Sequence, residues 1–264
     1  MDNSRVSTLV TTAIDTLIAD LEAGRSETLT AYLTAMSRFH KYSFNNAILI
    51  HAQCKIATQV AGYKTWFGFG RHVKRGAKGI VILVPMVYRR RDQKKLIEKE
   101  PEECSVGFTT GFVFDVSQTE GEPIPEFAKV KGAAGCYLQR LKSMCSRRNI
   151  SVSYKESLSG AEGISTGGAI ALLDKMQPAV EFAVLTHELA HEILHKGDRR
   201  HATCKTLRET EAEAVAYIVS TAVGLDPGTS SSDYIQLYQG DANLLISSLS
   251  FIQMTASEIL EGIL

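Results

Sequence analysis

The residues with the clearest chemical potential are two histidines and a glutamate in the segment His187-Glu188-Leu189-Ala190-His191. Histidines four residues apart on a helix lie one above the other, about 6 Å apart, so both imidazoles can bind one small cation. Glu188 lies beside them and can reach a water bound to that cation. This spacing is typical of zinc hydrolases and predicts His187 and His191 as metal ligands and Glu188 as a catalytic base.

The segment around these histidines has the pattern of a helix. Pro178 suits a first helical position, and Lys196-Gly197 supplies a cationic last turn followed by a residue that favours a left-handed stop. Apolar residues recur at helical spacing between them, at Val180, Val184, Leu185, Leu189 and Ile193. The sequence therefore predicts that both histidines lie on one rigid element.

A catalytic zinc ion normally has three protein ligands and keeps a fourth position for water, so one ligand is missing. His195 lies eight residues beyond His187, about 12 Å along a helix, which is too far for the same ion. The H-E-x-x-H-x-x-G-x-x-H variant is also excluded, because Leu194 and Gly197 stand where it needs Gly and His. His195 is therefore predicted to be structural.

The next predicted helix, Thr206 to Val223, offers three glutamates as the third ligand. Glu209 follows Thr206 by three residues, where a capping box would occupy its carboxylate. Glu211 points away from its neighbours at 209 and 213, given about 100° per residue. We therefore predict Glu213 as the ligand, among small residues that permit close helix packing, with Glu209 as the second choice.

These residues predict a reaction. Zn²⁺ held by two histidines and Glu213 would lower the pKa of a bound water towards 7, and Glu188 would take its proton during attack on a peptide carbonyl. Tyr234 or Tyr217 would supply an additional oxyanion donor. The peptide or protein substrate is not specified by the sequence.

Composition limits the class of protein. Hydrophobic residues make up 44% and charged residues 22%, as in soluble globular proteins, and the net charge is zero. The charge is unevenly distributed: Lys64 to Lys95 contains ten Lys/Arg and one acid, whereas Lys205 to Leu264 contains eight acids and two bases. This asymmetry favours two functions, one of them directed at a polyanion.

Targeting signals and cysteines indicate the compartment. Five scattered cysteines without a C-x-x-C pair argue against a disulfide framework and against a thiolate zinc site. The N-terminus lacks the order of a signal peptide, and the longest apolar run, Ile80 to Val87, is too short to span a bilayer. We therefore predict a cytoplasmic protein with no membrane partner.

Aromatic, basic and glycine residues interleave between Val60 and Gly79. Aromatic rings can stack on unpaired bases while Lys and Arg follow the phosphates, so this composition suits single-stranded nucleic acid. The candidate contacts are Lys64, Trp66, Arg71, His72, Lys74, Arg75 and Lys78. The alternative is a glycine-rich turn in which Trp66 is buried and the basic residues are only solvated.

The elements around these sites predict an α+β protein. N-terminal helices precede a small β-sheet or hairpin formed by the β-rich runs Ile80 to Arg90 and Ser105 to Val116. A Pro- and acid-rich stretch at 121–128 is the expected linker between domains 1–120 and 129–264. Gly163 to Leu173 is predicted to be a hairpin or strand pair, which either offers an edge to an extended peptide or simply closes the sheet.

Several of these motifs together resemble those of the ArdC-like antirestriction proteins. They are Phe44-Asn45-Asn46, Val60-Ala-Gly-Tyr-Lys-Thr-Trp66, Gly70-Arg-His-Val-Lys-Arg-Gly76, Phe112-Val-Phe-Asp-Val-Ser-Gln118, His187-Glu-Leu-Ala-His191 and Glu211-Ala-Glu-Ala-Val-Ala-Tyr217. The resemblance implies an N-terminal domain that binds single-stranded DNA and a C-terminal zincin-like metallopeptidase domain, in a protein of a plasmid or other mobile element. Asn45 joins the candidate nucleic-acid contacts. The H-E-x-x-H segment with the later Glu-Ala pattern is also similar to the zinc peptidases that cleave repressors in mobile elements, which supports Glu213 as a zinc ligand.

Two hypotheses from different classes follow. The first is a zinc metallopeptidase joined to a single-stranded-DNA-binding domain that serves a mobile element against host restriction. The second is a non-catalytic DNA-binding antirestriction protein whose zinc site is structural, because a ligand set does not prove turnover. A metal-dependent nuclease is disfavoured, since two histidines and one carboxylate suit zinc better than the carboxylate-rich magnesium sites of nucleases.

Overall fold

The computed structural model describes residues 3–89, 104–123, 134–226, 237–238 and 240–264. Residues 90–95 of the basic segment, residues 124–128 of the expected linker and Tyr234 lie outside the described residues.

Helices make up most of the described chain. They are α1 (Asn3–Glu22), α2 (Glu27–Arg38), α3 (Phe44–Gln53), α4 (Tyr63–Gly68), α5 (Ala134–Arg147), α6 (Pro178–Leu194), α7 (Asp198–Ala202), α8 (Lys205–Ala222) and α9 (Ala242–Ile263). Among the described residues, no helix has the length and apolar character needed to cross a membrane.

The strands are short apart from one pair. They are β1 (Val60–Ala61), β2 (Arg71–Val73), β3 (Ile80–Arg89), β4 (Cys104–Asp115), β5 (Thr119–Gly121), β6 (Ser151–Lys155), β7 (Gly163–Ser165) and β8 (Ala169–Leu173). This mixture of helices and small sheets is the α+β class that the sequence predicts.

Contacts divide the chain into two compact units, Met1–Ala13 with Ile48–Glu122 and Ile14–Ala47 with Pro123–Leu264. The sequence predicts one continuous N-terminal domain, 1–120, whereas the contacts assign residues 14–47 to the second unit. The physical reason is the apolar face of α2, whose Leu29 and Leu33 are fully buried in a helix that packs against α8. A helical stripe shows that a face must be buried but not which element buries it.

In the first unit, β3 and β4 pair antiparallel from Ile80 opposite Val113 to Arg89 opposite Cys104, which confirms the predicted hairpin. β1 pairs with the other edge of β4, and β2 pairs antiparallel with β5. Val6, Leu49 and Val81 form a buried apolar cluster in this unit.

In the second unit, β8 lies between β6, to which it is parallel, and β7, to which it is antiparallel. The pairing of β7 with β8 confirms the strand pair predicted at Gly163 to Leu173. Helix α6 packs against β7, α5 and α8 and has Phe182, Leu185 and Leu189 fully buried. This helix is therefore held on several sides, and the strand order leaves β7 at an edge of the sheet.

Candidate metal centre and nucleic-acid interface

Two packed helices carry the candidate metal ligands. Helix α6 begins at Pro178, as predicted, and contributes His187, Glu188 and His191, whereas α8 contributes the glutamates. Ala212 and Ala214 of α8 are fully buried, and such small residues allow the two helix axes to approach closely. The local sequence thus fixes the histidine spacing, and helix packing brings the carboxylates to it.

Three donor atoms converge between these helices. The Nε2 atoms of His187 and His191 lie 3.1 Å apart. Oε2 of Glu209 lies 3.5 Å from each of these nitrogens. Among the described residues, these three form a cluster whose geometry suits a metal ion.

The separations can be tested against the demands of a tetrahedral ion. Zinc bonds of about 2.0 to 2.1 Å to nitrogen and oxygen place neighbouring donor atoms about 3.3 Å apart. The observed separations of 3.1, 3.5 and 3.5 Å lie on both sides of that value. Two imidazoles and a carboxylate therefore fit a divalent cation such as zinc, and one tetrahedral corner remains for water or substrate.

Glu213, the ligand that the sequence favours, meets a different atom. Its Oε2 lies 3.5 Å from Nδ1 of His187, the ring nitrogen that does not face the donor cluster. Glu209, the second choice, is the carboxylate that approaches both Nε2 atoms. The capping argument against Glu209 is wrong because α8 begins at Lys205, and its N-cap is Cys204, whose Sγ accepts a hydrogen bond from the Leu207 amide.

The carboxylates stabilise positive charge at this point. Burial would lower the pKa of His187, but hydrogen bonds to Glu209 and Glu213 raise it to about 9. Burial, reinforced by the charge of His187, lowers the pKa of His191 to about 4. The hydrogen bond from His187 also lowers the pKa of Glu209 to about 2. The site therefore favours a cation between an ionised Glu209 and a neutral His191.

Glu188 is buried and lies against β7. Its side chain is 7% exposed, and burial raises the pKa of its carboxyl above the usual value. A methyl group at Gly163 would lie 2.8 Å from Oε1 of Glu188 and 2.7 Å from Cγ1 of Val184. Only glycine at this position allows the strand to pass so close to the glutamate.

Two cavities adjoin the cluster. One of about 520 Å³ is lined by His187, Glu188, Glu209, Glu213 and Tyr217, together with small apolar residues of α6. The other, of about 430 Å³, also touches Glu188, His191 and Glu209 but is lined by three basic residues. These are Arg200, Lys205 and Arg208. Glu188 thus borders space on both sides of the donor cluster.

Of the two tyrosines considered as oxyanion donors, Tyr217 lies in the described structure. It lines the larger cavity, and its hydroxyl is 3.1 Å from Oγ1 of Thr34. Tyr234, the predicted catalytic tyrosine, lies outside the described residues. Tyr217 is therefore the tyrosine that the structure brings to the site.

In the candidate nucleic-acid region, Trp66 is a buried residue of α4. It is 3% exposed, and its indole Nε1–H donates a hydrogen bond of 2.8 Å to the carbonyl of Phe114. Its ring is not available for stacking on a base, which corrects its selection as a contact. A tryptophan both fills an apolar core and stacks on bases, so residue type alone does not separate the two roles. The exposed aromatic side chains of this helix are Tyr63, at 56% exposure, and Phe67, at 62%.

Five bases form what we call the basic strip, namely Lys64, Arg71, Lys74, Arg75 and Lys78. Arg71 holds β5, because its guanidinium donates to Thr119 Oγ1 at 2.8 Å and to the Glu122 carbonyl. Lys74 donates from Nζ to the Ser117 carbonyl at 2.9 Å. Arg71 and Lys74 therefore carry positive charge and also form hydrogen bonds that hold the backbone carbonyls of Glu122 and Ser117.

The other members of the strip, Lys64, Arg75 and Lys78, are exposed, as is His72. The His72 ring meets Phe67 edge to face, with centroids 5.6 Å apart. Asn45 is also exposed but belongs to the second unit. The candidate nucleic-acid contacts that remain in the first unit are therefore the exposed cations of the strip and the exposed aromatic pair, Phe67 and His72.

The motif Phe112 to Gln118 has a structural explanation centred on Asp115. This buried carboxylate accepts hydrogen bonds from the amides of Thr58 and Gln59 and from the amide and hydroxyl of Ser117. Gln118 completes a capping box by accepting from the Asp115 amide at 2.9 Å. The hydrogen bonds of this motif therefore hold the backbone at Thr58, Gln59 and Ser117 in place.

Comparison with known proteins identifies related sequences. Residues 7–114 match the family model described as the N-terminal domain of anti-restriction factor ArdC. An uncharacterized protein of Bacillus anthracis is 26% identical over 243 residues, which cover 76% of this chain and 41% of that protein. The chain thus spans about two fifths of the length of this relative.

Two solved structures resemble the whole chain. They are the metal-free and Mn(II)-bound crystal structures of the antirestriction ArdC protein from plasmid R388, with TM-scores of 0.58 and 0.57. Sequence identities are 18% and 20%, and each match covers 96% of this chain. The likeness establishes a shared fold, which extends beyond residue 114, where the match to the family model ends.

Proposed function

Because this chain is an ArdC-like protein, we propose that it is a metal-dependent peptidase joined to a single-stranded-DNA-binding unit and that it protects a mobile element from restriction. The converging donor atoms of His187, His191 and Glu209 beside buried Glu188 carry the peptidase part of this proposal. The match to the ArdC N-terminal domain and the likeness to the plasmid R388 antirestriction protein support the biological role.

In this proposal, His187 and His191 hold the cation with Glu209 as third ligand, and Glu213 orients His187 through Nδ1. A bound divalent cation would polarise the peptide carbonyl and acidify a water molecule. Glu188 accepts the proton of that water at a carboxylate oxygen and delivers it to the leaving amine. Tyr217 lines the same cavity and supplies a hydroxyl near the reacting group.

The choice of metal rests on the donor set. Two imidazole nitrogens with one carboxylate are typical of catalytic zinc, so we propose zinc as the resident ion. The plasmid R388 protein has a Mn(II)-bound structure, which supports a divalent cation in the relative. Metal analysis of the purified protein distinguishes zinc from manganese.

The test of the peptidase is Glu188→Gln, which keeps the shape of the side chain but removes the base. We expect unchanged metal content and a loss of about 10²- to 10⁴-fold in cleavage of labelled casein or a quenched peptide mixture. Glu162→Gln is the control, because Glu162 lines the same cavity without contacting the histidines. Equal cleavage by Glu188→Gln and the wild-type protein would remove Glu188 from the mechanism.

The DNA-binding part rests on the exposed cations and aromatic pair of the first unit. Lys64, Arg75 and Lys78 can follow phosphates, and Phe67 with His72 can stack on unpaired bases. We propose single-stranded DNA rather than duplex as the ligand, because exposed rings contact bases that are not paired.

Salt titration tests this surface. Each phosphate contact on a single strand contributes about 0.7 to the slope of log affinity against log salt. Replacing Arg75 and Lys78 with Ala should therefore lower the slope by about 1.4, measured by fluorescence anisotropy with an oligonucleotide. The control is Lys41→Ala with Lys155→Ala, which removes two exposed lysines of the second unit. An unchanged slope would place the DNA elsewhere.

A non-catalytic DNA-binding protector with a structural metal is the second candidate. The observation in its favour is that the basic strip and the donor cluster belong to different compact units, so a DNA surface formed by the strip would not include the metal ligands. Antirestriction that survives Glu188→Gln in a plasmid-transfer assay would support this candidate over the peptidase.

A further inference from the structure

A buried series of hydrogen-bonded side chains adjoins the donor cluster, and its members beyond His191 have no role in the proposed reaction. It runs from His191 through His195 to Glu211 and Arg199. His195 is 2% exposed and Glu211 is fully buried. Burying a carboxylate and an imidazole is costly unless both are paired, so their arrangement requires an explanation.

The contacts form a continuous line. Nδ1 of His191 lies 2.9 Å from Nδ1 of His195, and Nε2 of His195 lies 2.9 Å from Oε2 of Glu211. Arg199 closes the line by donating to Oε1 of Glu211 at 2.5 Å. The guanidinium also lies over the ring of Phe251, 3.9 Å from its centroid. Apart from Nε of Arg199, which is buried without a hydrogen-bond partner, the polar atoms named in this line are paired.

A cation bound at Nε2 of His191 would fix the direction of every hydrogen bond in the line. The Nε2 atom of His191 faces the donor cluster, so its Nδ1 carries the hydrogen and donates it to His195. His195 must then carry its own hydrogen on Nε2 and donate it to Glu211. The carboxylate of Glu211 is thus met on both oxygens, because His195 lies against Oε2 and Arg199 donates to Oε1.

We propose that His195, Glu211 and Arg199 are positioning residues that hold His191 in the tautomer and ring orientation needed for metal binding. This inference rests on the metal centre proposed above. It explains why a histidine too far along α6 to bind the ion is nevertheless buried next to a ligand. It also gives each histidine ligand an outer partner, since Glu213 meets Nδ1 of His187.

Cobalt(II) is the probe, because its visible absorption bands report both affinity and coordination geometry. Removing an outer partner of a metal ligand typically weakens metal binding by about 10- to 100-fold. We expect that loss for His195→Phe, together with altered cobalt bands. His195→Gln should recover part of the affinity because its amide oxygen can accept from His191. Glu211→Gln should lose less than His195→Phe because its amide still offers one acceptor.

The matched control is Glu192→Gln, since Glu192 is also a buried glutamate and adjoins His191 in sequence. Its carboxylate accepts hydrogen bonds from the amides of Gly167 and Gly168 instead. This variant should bind cobalt like the wild-type protein, even where its thermal stability falls.

Cobalt affinity of folded His195→Phe within twofold of the wild-type value would overturn the inference. If His195→Phe does not fold, Glu211→Gln decides, and affinity equal to that of Glu192→Gln overturns it. Absence of cobalt binding by the wild-type protein would instead overturn the metal centre itself, and with it this role for the buried chain.

Discussion

The donor cluster and the basic strip use polar residues in opposite ways. In the donor cluster, side chains from two helices converge within a few ångströms, and a buried hydrogen-bonded chain supports one of them. In the basic strip, Arg71 and Lys74 donate to backbone carbonyls, and four of the five cations, Lys74 among them, are exposed. A chemical site is therefore identified by side chains whose donor atoms converge, rather than by the mere presence of reactive residue types.

The largest expected effect comes from replacing each of the two carboxylates near His187, which tests which of them converges with the imidazoles as a metal ligand. Glu209→Ala should weaken cobalt binding by more than about 100-fold, because it removes a ligand, whereas loss of an outer partner in Glu213→Ala should cost about 10- to 100-fold. Cobalt titration monitored by absorbance measures both, with Glu162→Ala as the control. The reverse order would make Glu213 the ligand.

The approach of β7 to Glu188 gives a second test at the same site. Gly163→Ala places a methyl group 2.8 Å from Oε1 of Glu188, so the carboxylate must move. A displacement of about 1 Å can cost about 10²-fold in rate, so we expect peptidase activity to fall by that order. Metal content should stay unchanged, as measured by elemental analysis. Full activity of Gly163→Ala would show that the position of Glu188 is not limiting.

In the first unit, two aromatic residues one position apart should separate packing from binding. Phe67→Ala should weaken oligonucleotide binding by about 1 to 3 kcal/mol, the usual worth of base stacking on an aromatic residue. Trp66→Phe should leave DNA affinity unchanged but lower the free energy of unfolding by about 1 kcal/mol, since the Phe114 carbonyl loses its donor. Anisotropy and urea denaturation measure the two effects. Loss of DNA affinity in Trp66→Phe would contradict this division.

The smallest expected effect is a change in stability on replacing Asp115, the buried carboxylate of the Phe112 to Gln118 motif. Burial raises the pKa of Asp115, but hydrogen bonds from Ser117, Thr58 and Gln59 outweigh it and hold the pKa below the usual value. Its stabilisation is therefore complete above the pKa of the unfolded state, near pH 4, and is lost as the pH falls through the lower folded value. Asp115→Asn should reduce stability at pH 7 by about 1 to 2 kcal/mol and flatten the acid side of the stability profile.

Denaturation at several pH values compares Asp115→Asn with the wild-type protein. Ser117→Ala is a milder control, because it removes one hydroxyl donor and leaves the backbone donors in place. A stability profile of Asp115→Asn that still falls as steeply below pH 4 as that of the wild-type protein would contradict the role of Asp115.

Features that depend only on neighbours along one helix follow from the order of the residues. The spacing of His187 and His191, the start of α6 at Pro178 and the exclusion of His195 as a ligand all follow from helix geometry, because 3.6 residues per turn fixes which side chains share a face. The β3–β4 hairpin follows similarly from two adjacent β-rich runs.

Which residues from different elements meet depends instead on how those elements pack. The order of Glu209 and Glu213 depends on where α8 begins and how it lies on α6, and a shift of four residues in a helix moves a carboxylate by about 6 Å. The burial of Trp66, the packing of residues 14–47 with the second unit and the chain from His191 to Arg199 likewise depend on long-range contacts. Such contacts form between elements whose surfaces are complementary. A single sequence indicates which face of an element is buried, but it does not indicate which other element packs against that face.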